Sequence, residues 1–466
     1  MTDARAGTRI VLDGTLSNGL RVVAVPDATA PLVEFRLSIP CAGSGDAHAA
    51  RAQVLGDVLL PSADELSPER APQWEIAGLA AGRDVNRLGV FGCIPSASLV
   101  PVLRETAAAL ATPRYLGQRV VESRQRVAAQ VAIGRSEARW MALAALLRRW
   151  SPHQLAPCDI PPPEALPHVE PEDVRELHRN RLVPRGAVLV LVGDFAPDEI
   201  MATAERAFAE WQGAEETTLT PQPPLPGAAP GDVVLVNRPR SAQAELLLAG
   251  PAPHRTDADR PAFDLANVLF GGGVASRLSR NIREEKGYAY VAASAVEVVA
   301  GLPTTLVRVA VGAQAVAGAL TETRRELGAL VESPPNAAEI GHGKQLLAGR
   351  IGTAAVSPAS YATFLANLLA EGADPQWADG YGERVDAVAA EDVVSAAGRY
   401  LDPAGLTAVL VGDADVLGDR LADLPDTRVH RFEELGLVTP HEYGEDAPAG
   451  AYEPVRTSPY ERQQAR

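Results

Sequence analysis

Residues 268–290 read Val-Leu-Phe-Gly-Gly-Gly-Val-Ala-Ser-Arg-Leu-Ser-Arg-Asn-Ile-Arg-Glu-Glu-Lys-Gly-Tyr-Ala-Tyr. The apolar Val268, Leu269 and Phe270 end a helix that runs into Gly271, Gly272 and Gly273. Glycine at such a place permits positive φ or close approach by another backbone. A second helix follows, with Leu278 and Ile282 four apart on one face. Gly287 is placed to end it. Tyr290 opens the run Tyr-Val-Ala-Ala-Ser-Ala-Val-Glu-Val-Val, which reads as a strand. Arg283 therefore sits on the last turns of a helix and Tyr290 at the start of a strand. No Gly-Lys-Ser/Thr follows the glycines, which argues against a phosphate loop and leaves an ordinary loop as the plain alternative.

The stretch resembles the C-terminal half of the insulinase-like zinc peptidases, the family of pitrilysin and the mitochondrial processing peptidase. That pattern is a Gly-rich turn, Ser-Arg-Leu, a helix ending in Arg-Glu-x-x-Gly, then x-Ala-Tyr. Here it stands as Gly271 to Gly273, Ser276-Arg277-Leu278, Arg283-Glu284, Gly287 and Ala289-Tyr290. The resemblance implies that Arg283 and Tyr290 are catalytic residues reaching a peptidase centre built mainly elsewhere. It also implies that Gly271, Gly272 and Gly273 shape a substrate-binding wall.

A chain of 466 residues is too long for one ordinary core, so two or more domains are expected. Apolar content of 46% with 22% charged residues is that of a soluble globular protein. The net charge of −16 argues against nucleic-acid or anionic-membrane surfaces and would suit a basic peptide. Cys41, Cys93 and Cys158 form no Cys-x-x-Cys pair, which fits a reducing, cytoplasmic compartment. Met1 to Ile10 lacks the apolar core of a signal peptide, and no apolar run is long enough to span a membrane. Lysine stands only at Lys286 and Lys344 while arginine is abundant, which suggests a GC-rich bacterial genome.

Residues 8–40 alternate as strands do, with Asn18-Gly19 as a hairpin turn and Val33, Phe35, Leu37 and Ile39 on one face. This opening also resembles the insulinase-like family, whose active members next carry His-x-x-Glu-His on a helix. There two His bind zinc, the Glu activates water, and a remote Glu completes the shell. The equivalent window, His48 to Pro61, places Gln53, Gly56 and Asp57 at the His, Glu and His positions. Gln130 takes the remote Glu position in the helical 97–150 region. One carboxylate cannot hold zinc and glycine cannot activate water, so no metal or other cofactor is expected on this chain. His48 and Asp57 read as surface helix residues.

A helix from Glu172-Asp173-Val174 leads to the strand-like Pro184 to Asp194, and Glu391-Asp392-Val393 leads to Pro403 to Asp413. The offset of 219 holds at Gly186 and Gly405, Val192 and Val411, and Asp194 and Asp413. It argues for two copies of one domain. The Gly-Asp ends read as structural turns. The expected fold is α+β: two homologous α/β domains, each an antiparallel-rich sheet packed with helices, related by an internal repeat. The expected divisions are 1–212, a Pro-rich linker at 213–232, 233–424, and a polar tail at 425–466. A long helical stretch over 313–370 breaks near Ser333-Pro334-Pro335 and Ser357-Pro358.

In the small two-domain branch of the family the enzymes are dimers, and in several pairs only one subunit holds zinc. The resemblance implies that this chain is the other kind: a non-zinc subunit of a heterodimer with a zinc-bearing homologous partner, acting on a peptide substrate. A non-catalytic scaffold or peptide-binding subunit is the alternative.

Overall fold

The computed structural model describes residues 9–432 apart from 44, 85, 151–160, 214–229, 300, 379 and 423. Cys158, most of the Pro-rich linker, most of Met1 to Ile10 and the tail beyond Phe432 lie outside the described residues.

The strands form two six-stranded sheets. The first takes β1 (Leu12–Thr15), β2 (Arg21–Pro26), β3 (Leu32–Pro40), β4 (Ala80–Arg83), β5 (Arg87–Pro95) and β6 (Val188–Gly193), in the order β1-β2-β6-β3-β5-β4. The second takes β7 (Asp232–Asn237), β8 (Gln243–Pro251), β9 (Ala289–Val299), β10 (Leu302–Gly312), β11 (Thr407–Gly412) and β12 (Arg428–Arg431), in the order β12-β7-β11-β8-β10-β9. Only β2 with β6, β11 with β7 and β12 with β7 run parallel; the other pairs are antiparallel. The α+β expectation is met. The repeat keeps its offset: the helices Pro171–Arg181 and Ala390–Tyr400, and the strands β6 and β11, lie 219 residues apart.

Local signals account for most elements. Gly19 takes a φ of 94° in the β1–β2 turn, where glycine has no steric penalty. The Asn18 amide donates to the carbonyls of Phe208 (2.9 Å) and Trp211 (3.0 Å), fixing the hairpin to the end of the first half. Val33, Phe35, Leu37 and Ile39 are all buried on one face of β3. The 313–370 stretch splits into the helices Val316–Glu332, Ala337–Ala354 and Pro358–Ala370, two of them capped by Asn336 and Ser357 at the foreseen breaks.

Two strands stand where the sequence pattern showed none. Ala80–Arg83 is too short and too poor in β-branched residues to announce β4. Arg428–Arg431 lies in the stretch expected to be polar tail, yet forms β12 by pairing parallel to β7. Its charged residues suit an exposed sheet edge.

The halves also exchange helices. Helix Ala138–Trp150 buries Met141, Ala142, Ala145, Leu146 and Leu147 against Val234, Val236, Leu247 and Val409 of the second sheet. Helix Pro358–Ala370 buries Ala362, Leu365, Leu368 and Leu369 against Val23, Val25, Val190 and Val192 of the first. Each sheet thus has one face covered by a helix from the other half of the sequence.

Candidate active site at the glycine turn and sheet edge

Helix Arg260–Asn267 passes into a π-helical turn, Val268–Gly272. After Gly273, Ser276 caps the short helix Arg277–Ser279, which becomes a second π-helical turn, Arg280–Glu285. Such turns recur at functional sites. Gly287 ends this segment at φ 63°. The Tyr288 amide reaches back to the Ile282 carbonyl (2.9 Å), closing the turn into β9.

The three glycines serve close approach, not positive φ. A Cβ on Gly271 would lie 2.8 Å from the Ser294 Cβ and 3.0 Å from its backbone nitrogen. One on Gly272 would lie 3.2 Å from the Asn267 carbonyl oxygen. The Ser294 hydroxyl donates to Asn267 Oδ1 at 2.5 Å, and the Arg350 guanidinium donates to the Gly272 carbonyl. Gly271 is buried, while Gly272 and Gly273 are half-buried, so only the latter two offer surface to a peptide.

Among the described residues, β9 is the outermost strand of the second sheet, with one backbone edge unpaired. Its register against β10 shifts at the first residues: Val291 faces Ala310, Ala289 faces Val311, and Tyr290 has no opposite number. Strand alternation from the buried Ala292 and Ser294 would turn Tyr290 toward the core. The bulge turns it out instead, and Tyr290 is 88% exposed.

Arg283 is exposed on the second π turn, and its Nη1 donates to the Ser279 hydroxyl at 3.3 Å. Among the described residues no carboxylate pairs with it; Glu284, the neighbouring acid, does not. A guanidinium and a phenol hydroxyl are thus presented to solvent from the two ends of one turn, Arg283 to Tyr290.

A polar cluster at Asn281, two residues before Arg283, was not foreseen. Asn281, 3% exposed, donates its amide to Glu322 Oε2 (2.7 Å) and Glu326 Oε1 (2.8 Å) on helix Val316–Glu332. Arg325 bonds both carboxylates, and Lys286 lies 3.7 Å from Glu322. The Asn281 hydrogen bond, resisted by burial, holds the Glu322 carboxyl below its ordinary range. The spacing of Glu322 and Glu326 by four residues was the only sequence signal.

In the first half, helix Asp46–Val58 carries Gln53, Gly56 and Asp57, and the packed helix Gly117–Ser136 carries Gln130. Asp57 is paired with Arg126, one turn from Gln130, at 2.5 Å and 3.3 Å. His48 is turned to the Cys41 carbonyl (3.2 Å), and burial lowers its pKa. These residues do not fit a zinc ion: the one ordinary ligand is held by a guanidinium. Among the described residues no three His, Cys, Asp or Glu side chains are grouped to hold a metal.

Residues 168–347 match the model of the Peptidase M16 inactive domain. Residues 168–347 thus carry a domain of the insulinase-like, or M16, peptidase family. It is 30% identical over 121 residues to an uncharacterized zinc protease of Streptomyces coelicolor, a match covering 25% of this chain and 26% of the relative. The chain thus spans about a quarter of the length of the curated relatives it matches. Its fold is similar to that of a peptidase M16 inactive domain from Pseudomonas fluorescens, with a TM-score of 0.77, 20% identity, and coverage of 87% of this chain and 98% of the other. A protease from Helicobacter pylori gives 0.76 at 18% identity, with 86% and 99% covered. Among the described residues, no helix of this chain is long and apolar enough to cross a membrane.

Proposed function

We propose that this chain is the non-zinc subunit of a bacterial, cytoplasmic heterodimeric metalloendopeptidase that cleaves a peptide or a leader segment. It lends substrate-binding and oxyanion-stabilising groups to a zinc-bearing homologous partner. The partner would supply zinc, the attacking water and the general base. Tyr290 donates its hydroxyl to the oxyanion of the tetrahedral intermediate, a contribution of about 10²–10³ in rate for such donors. Arg283 holds or polarises a substrate carbonyl. The half-buried Gly272 and Gly273 line the wall, and the β9 edge, unpaired among the described residues, offers backbone groups to an extended peptide. The divisions at 212 and 232 are proposed to hold, while β12 carries the second domain past 424 to Arg431. The observation that carries this reading is the β-bulge that turns Tyr290 out of the sheet, seven residues after an exposed Arg283 that no carboxylate pairs among the described residues.

The test is peptide cleavage by this chain, by a zinc-bearing homologue, and by their mixture, with zinc content measured on each. Activity confined to the mixture, with zinc on the homologue alone, is the expected result. Stoichiometric zinc on this chain would overturn the reading. Activity of the mixture that ignores Arg283→Ala and Tyr290→Phe would make the chain a scaffold or peptide-binding subunit.

A further inference from the structure

We propose that Asn281 is a positioning residue for Arg283. It fixes the π-helical turn to the helix behind it, so that the guanidinium is presented at one place. The inference rests on the reading of Arg283 as a substrate-contacting group.

The argument begins with what holds the turn. A π-helical segment leaves backbone hydrogen bonds of an uncommon span, and such segments persist where surroundings determine them. The carbonyl of Asn281 accepts from the Lys286 amide (2.9 Å), and that of Ile282 accepts from the Tyr288 amide (2.9 Å). Those two bonds enclose Arg283. Their acceptors belong to the two buried residues that precede it. Ile282, fully buried, is a plug in the core, and an apolar plug sets depth without fixing rotation. Asn281 supplies direction: its two amide protons go to two carboxylates one helical turn apart on Val316–Glu332. An amide with both protons committed to two fixed acceptors cannot swivel without breaking one bond.

The surrounding charges make the position selective. Glu326 is buried and Glu322 half-buried, with Arg325 bonding both and Lys286 near Glu322. A neutral double donor is what two adjacent carboxylates require there. Alanine would strip a partner from each, and aspartate would bring a third negative charge against them. Among the described residues, the buried Oδ1 of Asn281 accepts no hydrogen bond.

The experiment has two arms. In the chain alone, amide hydrogen exchange of Lys286 and Tyr288 is compared between the native protein and Asn281→Ala. Faster exchange at these two amides, with the β8 and β11 amides unchanged, is expected. In the mixture with the zinc-bearing homologue, Asn281→Ala is measured in native and Arg283→Ala backgrounds. A loss of roughly ten- to hundredfold in the native background, absent once Arg283 is alanine, is expected. An equal loss in both backgrounds would overturn the proposal, because Asn281 would then act other than through Arg283. So would unchanged exchange at Lys286 and Tyr288. If Arg283→Ala itself costs nothing, the functional reading of Arg283 fails, and the exchange arm alone decides whether Asn281 sets the turn. Asn281→Ser, which keeps one donor, serves as the second variant should alanine not fold; it is expected to lie between the two.

Discussion

Each half of the chain covers the other's sheet, and that exchange can be tested by cutting the connection between them. A protease site placed within residues 213–232 would sever the covalent link. Leu365, Leu368 and Leu369 are buried on the first sheet, and Met141, Leu146 and Leu147 on the second. Each such side chain contributes about 1.5–3 kcal/mol when fully buried, so the six together supply roughly 9–18 kcal/mol of gross apolar stabilisation. Association of two free bodies costs about 4–15 kcal/mol, so the cut halves are expected to stay together in gel filtration. Leu365→Ala costs about 2–5 kcal/mol, and Leu146→Ala the same. The two sites share no cluster, so their effects should add. The cut double variant is expected to dissociate, and the uncut one to unfold in a single transition at lower temperature. Dissociation of the cut native chain, or two separate transitions with Leu365→Ala moving only one, would refute the reasoning.

Other consequences are equally accessible. Restoring the metal ligands at the inferred register, by Gln53→His, Gly56→Glu, Asp57→His and Gln130→Glu together, should let the chain take up about one zinc per molecule; no uptake by metal analysis would refute that register. Gly271→Ala should cost about 1–3 kcal/mol in urea unfolding, because the new Cβ meets Ser294 in β9; a neutral result would contradict the close approach. His178 is buried, with Nε2 donating to the Leu110 carbonyl (2.8 Å) and Nδ1 accepting from the Tyr115 hydroxyl (2.6 Å). Burial holds its pKa below the ordinary value. The unfolded chain then binds a proton near pH 6.5 that the folded chain refuses, so stability is full above that pH and falls as the pH drops below it. Urea midpoints at pH 7.5 and 5.5 should diverge less in His178→Gln than in the native chain; an unchanged gap would show that another group is responsible.

The fold was legible wherever local chemistry decides. Asn18-Gly19 made a hairpin, Ser357-Pro358 broke a helix, and the 219-residue offset gave two copies of one unit. The exchange of helices was not legible. Leu143, Leu146 and Leu147 show that one face is apolar, and periodicity cannot say which sheet covers it. β12 escaped because Arg-Val-His-Arg carries no strand pattern and forms by pairing with β7. At the candidate site, Arg283 and Tyr290 were found through resemblance, but the outward turn of Tyr290 depends on a register shift against β10. Asn281 was missed because its partners lie 41 and 45 residues away on another helix.

The central claim is that Tyr290 acts in the transition state of a reaction whose metal lies on another chain. The direct measurement is steady-state cleavage by the mixture of this chain with a zinc-bearing homologue, with native and Tyr290→Phe forms compared. A kcat lower by about 10²–10³ with KM little changed is expected, since the lost hydroxyl bonds only the developing oxyanion. An unchanged kcat would contradict that claim.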